Sequence, residues 1–440
     1  MATDLAGTAL LTDHYELTMV SAALSSGAAE RRTVFEVFAR HLPGRRRYGV
    51  VAGTGRFLDA LAEFTFSQAE IGFLREAGII DDKAAAFLAS YRFGGSIWGY
   101  AEGDCYFPGS PILVVEGTFA EAVVLETLAL SIFNHDCAVA SAAARMVTAA
   151  GQRPIIEMGS RRTHERAAVA AARAAYIAGF ATTSNLRAGY EYGVPTAGTS
   201  AHAFTMVHDD ERQAFEVQIG CLGPRTTLLV DTYDVARAVR TAVQVGGPEL
   251  GAVRIDSGDF AEITTAVRAQ LDELGATKTR IVVTGDLDEY AIAALAPAPV
   301  DGYGVGTALV TGSGVPTASL VYKLVARQGA SGRLEPVAKR SVGKPTIGGR
   351  KWAVRTLGED GTALAEVVTT SPPDPAESEP APGHTHRVLL RELVRDGQIV
   401  GREPLAAARD RRRRALDELP HQALRLSPGD PVLPTLIGEQ

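Results

Sequence analysis

Apolar and polar positions change rhythm along this chain, and the rhythm predicts its elements. In L-L-T-D-H-Y-E-L-T-M-V-S-A-A-L the apolar residues recur at helical spacing behind Thr12 and Asp13, which predicts a helix opening there. T-V-F-E-V-F-A-R alternates and predicts a strand. R-F-L-D-A-L-A-E-F predicts a second helix. The stretch S-I-W-G-Y to P-I-L-V-V-E-G reads as hairpin strands punctuated by Gly and Pro. Residues 120–150 are helical, in two pieces with a break before Val139.

Beyond residue 150 short apolar runs end in small or charged residues, with alanine-rich helical segments between them. The run ends are R-P-I-I-E-M-G-S-R-R, F-A-T-T-S-N, P-T-A-G-T-S-A-H, T-T-L-L-V-D-T-Y-D, A-V-R-I-D-S-G-D, R-I-V-V-T-G-D and D-G-Y-G-V-G-T. Asp231, Asp256 and Asp286 recur about every 25–30 residues, the length of one βαβ unit. Near-continuous apolar strands separated by helices predict a parallel sheet buried on both faces. The expected fold is α/β, an irregular (β/α) barrel over residues 119–327, with a doubly wound open sheet as the alternative. Residues 1–118 and 328–440 are expected to form a second, discontinuous α+β domain. Within it, the Pro- and acid-rich residues 371–383 read as a mobile loop, H-R-V-L-L-R-E-L-V as one short strand, and P-L-A-A-A-R-D-R-R-R-R-A-L-D-E-L as a helix with Pro404 near its start.

Composition narrows the function. Of the 440 residues 46% are hydrophobic, enough for a sizeable core, and the net charge of -7 from 44 basic and 51 acidic residues argues against a general nucleic-acid or acidic-membrane binder. Cys105, Cys137 and Cys221 form no CxxC pair and suit a reducing cytoplasm. No signal peptide and no membrane span are expected: the first residues carry no basic region, and the apolar stretches are broken by Glu121, Glu126 and Arg173.

In a barrel the catalytic groups stand at the carboxyl ends of strands. The run ends supply Arg161, Arg162, Thr199, His202, Asp231, Asp234, Arg254, Asp256, Ser257, Asp259 and Asp286. Arginines pair carboxylate or phosphate, and carboxylates suit ribose hydroxyls or hydrated Mg²⁺. Gly285, Gly304 and Gly306 can bring backbone N–H groups close to a phosphate, although a tight strand-to-helix turn explains them equally. Each of the four aspartates from Asp231 to Asp259 can also be a helix N-cap, and His202 a hydrogen-bonded structural histidine at a strand end. Arg161 and Arg162 read as opening a helix, where the macrodipole disfavours cations unless an anion is present. His384 and His386 read as exposed, and residues 411–414 as a solvated charge run.

Taken in order, L-L-T-D-H-Y-E-L-T-M, F-E-V-F-A-R-H-L-P, E-M-G-S-R-R, T-S-N, G-T-S-A-H-A-F, L-V-D-T-Y-D, R-I-D-S-G-D and G-V-G-T-A-L-V-T resemble the nicotinate phosphoribosyltransferase family of type II phosphoribosyltransferases. The likeness runs from about residue 8 to 330, and more loosely to the C-terminus. It implies synthesis of nicotinate mononucleotide and diphosphate from nicotinate and 5-phosphoribosyl 1-diphosphate in NAD salvage. It further implies Mg²⁺ carried by the diphosphate and ATP as co-substrate, with His202 transiently phosphorylated. By the same resemblance Asp256 and Asp286 would hold ribose or Mg²⁺. Tyr15 would reach the pyridine ring from the second subunit of a homodimer with a shared active site. Thr199, Arg254 and Ser257 would meet the substrate, Arg161 would face it or the phosphate, and Gly285, Gly304, Gly306 and Thr307 would cradle phosphate. Met158 stands where many relatives carry Phe, and the four-cysteine zinc site of certain members is absent.

Three other readings compete. Nicotinamide or quinolinate could be the acceptor, a distinction that rests on whether the pocket meets a carboxylate or an amide. A Schiff-base lyase needs a lysine at a run end, and Lys278 and Lys323 are not there. A non-catalytic phosphate-ligand sensor would keep the fold but not the histidine and carboxylates.

Overall fold

The computed structural model describes residues 7–339, 347–372 and 383–438. Most of the expected mobile loop, residues 373–382, lies outside the described residues. The chain forms two compact units: Met1–Ser141 with Thr317–Gln440, and Ala142–Pro316. These divisions lie later than residue 118 and earlier than residue 327. The strand Leu320–Gln328 pairs antiparallel with Arg32–Ala39 and so belongs to the first unit. The second unit begins inside the long helix Glu126–Ala150.

The first unit is α+β and draws strands from both ends of the chain. Its seven-stranded sheet runs Leu334–Pro336, Leu320–Gln328, Arg32–Ala39, Pro111–Thr118, Ser96–Tyr100, Leu390–Arg395 and Gln398–Ile399. The interior strand Arg32–Ala39 is buried along nearly its whole length rather than on one face. Its alternating sequence is reconciled by pairing: Glu36 is buried, with Lys351 Nζ donating to its two oxygens at 2.8 and 2.9 Å. A second sheet orders Thr385–Val388, Trp352–Leu357, Ala363–Thr369 and Thr435–Ile437. The single strand expected at H-R-V-L-L-R-E-L-V is therefore two strands, in different sheets.

Other expectations for this unit are corrected by packing. His386 is half-buried, its Nδ1 3.2 Å from Thr356 Oγ1, and His384 is also half-buried; no metal cluster occurs among the described residues. In the helix Leu405–Asp417 the charge run is split. Arg412 is buried and Arg411 donates to the Glu102 carbonyl, while Arg413 and Arg414 face solvent. The helical stretch Phe119–Ala150 is long and apolar enough to cross a membrane, but 67% of its apolar window is buried in the protein, as in a core helix.

The second unit is built on one parallel sheet. Its order is Thr182–Thr183, Ile155–Glu157, Gly302–Val305, Arg280–Gly285, Ala252–Ile255 and Thr227–Leu229, every neighbouring pair parallel. Thr196 extends the edge by a parallel bridge to Thr183. No ladder joins Thr196 to Thr227–Leu229 among the described residues, so the barrel is irregular. Helices such as Glu165–Ala178, Val235–Gly246 and Phe260–Glu273 alternate with the strands. Val253, Ile255, Ile281 and Val283 are fully buried, which explains the unbroken apolar runs.

One ion pair fastens the start of this unit to its far end. Arg145 Nε donates to Glu289 Oε1 at 2.9 Å, and Ser313 Oγ donates to Glu289 Oε2 at 2.7 Å. Burial acts to raise the Glu289 pKa, but the bonds from Arg145 and Ser313 outweigh it and hold the carboxyl below its usual range. A lowered folded pKa gives stability that is present above the unfolded value and lost as pH falls through the folded one. Arg145→Met should destabilise the protein by about 3–5 kcal/mol at neutral pH in urea unfolding. The gap between variant and wild type should narrow in acid, once Glu289 is protonated in both; a gap independent of pH would contradict the ion-pair account.

Candidate functional site

The carboxyl ends of these parallel strands surround a cavity of about 570 Å³, within the range that holds a small ligand. Arg161, Thr199, Arg254, Asp256, Gly285, Asp286, Gly304, Gly306 and Thr307 all line it, together with Met158, Ser160, Arg162, Ser184 and Thr284. Three guanidinium groups and two carboxylates thus converge where the strands end. Tyr15 belongs to the other unit, on the helix His14–Ser26. Its phenol lies above its usual range through burial and the charges of Glu126 and Glu16.

A hydrogen-bonded chain ties the strand ends together. Arg254 leaves the strand Ala252–Ile255 and donates from Nη1 to Thr199 Oγ1 and, at 3.0 Å, to the Ser200 carbonyl. Its Nη2 lies 3.6 Å from Asp256 Oδ1, and its buried Nε has no partner. Burial holds Arg254 below the ordinary guanidinium range, against the charges of Asp256 and Asp231, and Arg161 pulls the same way. Asp256 Oδ1 also accepts from the Thr284 hydroxyl. Asp231 Oδ2 accepts from the Asp256 N–H and the Ser257 hydroxyl, each at 2.9 Å, and its buried Oδ1 has no partner. Ser257 therefore braces Asp231 and does not line the cavity.

The four aspartates divide cleanly. Asp234 caps Val235–Gly246 and Asp259 caps Phe260–Glu273, each accepting from backbone N–H groups of the first turn. Asp231 and Asp256 cap nothing and turn to the strand ends. His202 sits on the first turn of the helix His202–Met206 instead of a strand end. Its Nδ1 is 3.1 Å from Thr232 Oγ1 and its Nε2 is 4.0 Å from Asp256 Oδ2, with the two side chains 38% and 40% exposed. Arg161 and Arg162 do not open a helix: the next one starts at Glu165, and His164 accepts from the Arg166 N–H as its cap.

Gly304 and Gly285 have packing reasons for lacking a side chain. A Cβ on Gly304 would stand 2.5 Å from Thr284 Cγ2 and 2.8 Å from Met158 Sδ, and one on Gly285 would stand 2.9 Å from Phe260 Cζ. Sequence reasoning passed over Thr284 and Thr232, because a threonine beside an apolar run carries no signal apart from its partner. Asn185 was noted only as part of T-S-N; it caps Leu186–Tyr192 and donates to Ser160 Oγ at 2.9 Å.

A parallel sheet whose strand ends bring arginines, carboxylates and glycine turns to one cavity has the arrangement of α/β enzymes, whose sites lie at the carboxyl ends of the strands. The model for the nicotinate phosphoribosyltransferase (NAPRTase) N-terminal domain matches residues 10–134. The chain is 58% identical over 434 residues to nicotinate phosphoribosyltransferase pncB1 of Mycobacterium tuberculosis (strain ATCC 25618 / H37Rv), spanning 97% of this chain and 94% of the relative. It is 36% identical over 365 residues to nicotinate phosphoribosyltransferase of Bacillus subtilis (strain 168), spanning 80% and 73%. Human nicotinic acid phosphoribosyltransferase, a solved structure, aligns with a TM-score of 0.77 at 27% identity over 98% of both chains. The chain belongs to the nicotinate phosphoribosyltransferase family.

Gly304→Ala should destabilise the protein by about 1–3 kcal/mol through overpacking against Thr284 and Met158. Urea unfolding reads this directly, and an unchanged midpoint would mean that Thr284 and Met158 both shift without cost.

Proposed function

We propose that this protein joins nicotinate to 5-phosphoribosyl 1-diphosphate, giving nicotinate mononucleotide and diphosphate for NAD biosynthesis. The observation that carries this reading is Arg254, held by Thr199 and Ser200 at the rim of a cavity it shares with Arg161, Arg162, Asp256 and Asp286. The similarity along nearly the whole chain supports it. Arg254 offers its charge to the nicotinate carboxylate, with Thr199 keeping the guanidinium plane in place. Arg161 and Arg162 attract the diphosphate and phosphate of the donor. Gly306 and Thr307 present their backbone to the 5-phosphate.

The pyridine nitrogen attacks C1 of the ribose as the bond to the diphosphate oxygen breaks, through an oxocarbenium-like transition state. Asp256, oriented by Thr284, places negative charge beside that developing cation. Among the described residues no cluster of three His, Cys, Asp or Glu can hold a metal. Mg²⁺ arriving on diphosphate needs only one or two protein carboxylates, and the exposed Asp286 and half-exposed Asp256 fit that need. When bound, it would neutralise leaving-group charge.

His202 is assigned the ATP-coupled step. With the Nδ1 proton donated to Thr232 Oγ1, the lone pair is on Nε2. Nε2 forms a bond to the γ-phosphorus of ATP while the bond to the ADP oxygen breaks; hydrolysis of the phosphohistidine later releases phosphate. The phosphoryl group places two negative charges near Asp256, and this repulsion can change the affinity for the donor. We assign the working form as a cytoplasmic homodimer, with Tyr15 of the second subunit closing over the pyridine ring.

The test is nicotinate mononucleotide formation from nicotinate, phosphoribosyl diphosphate and Mg²⁺, with and without ATP. Product should rise with ATP in the wild type, and His202→Ala should lose that rise while retaining ATP-independent turnover. Equal stimulation of the variant would remove His202 from the coupled step; turnover of nicotinamide or quinolinate in place of nicotinate would replace the substrate. Arg254→Lys should raise the KM for nicotinate about 10-fold or more, since a point charge cannot reproduce the fork held by Thr199. An unchanged KM would assign the carboxylate to another group.

A further inference from the structure

We infer that Glu157 is a positioning residue, outside the cavity, which sets the loop presenting Ser160, Arg161 and Arg162 to the anionic ligand. The inference rests on the phosphoribosyl diphosphate reading of that cavity. Glu157 ends the strand Ile155–Glu157, is fully buried and is not part of the cavity wall. One carboxylate oxygen accepts from the Gly159 N–H at 2.5 Å, and the other accepts from the Thr183 hydroxyl. Thr183 Oγ1 in turn accepts from the Asn185 N–H at 2.9 Å, and the Asn185 side chain donates to Ser160 Oγ at 2.9 Å. The Ser184 N–H donates to the Glu157 carbonyl at 2.8 Å. These bonds close a ring that joins two neighbouring strand ends and reaches the cavity at Ser160 and Ser184.

A carboxylate is costly in such a place, and burial does push the Glu157 pKa up against the bonds from Thr183 and Gly159. Both neighbours are donors, so two acceptor oxygens satisfy both. Gln would offer one acceptor and an NH₂ group, and the Gly159 N–H cannot reverse its role. The loop has little freedom of its own to settle otherwise. A Cβ on Gly159 would stand 2.2 Å from Val310 Cγ1 and 2.9 Å from Glu157 Oε1. The Arg162 N–H closes the turn onto the Gly159 carbonyl at 2.8 Å. The direction in which both arginines leave the backbone thus depends on the anchor at Gly159.

The full-length chain and its Glu157→Ala, Glu157→Gln, Thr183→Val and Thr183→Ser variants would be compared for inorganic diphosphate binding by calorimetry, for KM and kcat, and for Tm. Glu157→Ala and Thr183→Val should weaken diphosphate binding about 10-fold and raise the KM for phosphoribosyl diphosphate more than they lower kcat, the pattern of misplaced binding groups. Glu157→Gln should fall between, and Thr183→Ser, which keeps the hydroxyl, should restore wild-type affinity. A folded Glu157→Ala with a lower Tm but unchanged affinity and KM would make Glu157 a core group only. Should that variant not fold, unchanged binding in Thr183→Val overturns the inference, as does a wild type with no affinity for diphosphate. A wild type that binds diphosphate but makes no nicotinate mononucleotide would sink the proposed reaction while the binding comparison still decides the role of Glu157.

Discussion

The parallel register of the six strands in the second unit is the constraint on which its site depends. Parallel pairing sends every strand in one direction, so every carboxyl end emerges at the same edge. Residues remote in sequence, such as Arg161, Thr199, Arg254, Asp286 and Thr307, meet there without any long-range sequence signal. The sheet's buried middle supplies the apolar area that stabilises the unit. Its exposed edge is left free to carry charge.

That charge is held in place by hydrogen bonds passed from strand end to strand end. Thr284 fixes Asp256, the Asp256 N–H fixes Asp231, and Arg254 reaches Thr199 and Ser200. Each polar group is partly removed from water, and each is oriented by a partner from a different segment of the chain. The atoms left over, Asp231 Oδ1 and Arg254 Nε, are buried without partners in the same neighbourhood. Unpaired polar atoms of both signs are rare in a finished core.

The α+β unit follows a different rule. Its sheets take strands from both ends of the chain, and buried charges in its core meet charges of opposite sign. Arg355, fully buried, donates to Asp104 at 3.1 Å and to Glu366 at 2.6 Å, and Arg387 joins Asp104 at 2.7 Å. Glu36 with Lys351 is a second such pair. Nothing in a strand's own pattern announces these pairs, because each partner lies on another segment, 11 residues away for Arg355 and Glu366 and more than 250 for the others.

The sequence by itself determined the element types, the alternation of strand and helix, the parallel sheet with its chemistry at the strand ends, and the discontinuous second domain. These follow from local propensity and hydrophobic period, which act over a few residues. It also placed most residues that line the cavity, because strand ends are local features. Only the tertiary structure decided which aspartates cap helices and which face the site: D-T-Y-D and D-S-G-D present both kinds within three residues. It moved Arg161 and Arg162 from a helix start to a turn, put His202 on a helix, buried Arg412, and brought Thr232, Thr284 and Glu157 to their partners. Each of those outcomes depends on tertiary packing, and the bonds of Thr284 and Glu157 in particular join neighbouring strand ends, a geometry that exists only once the register is formed.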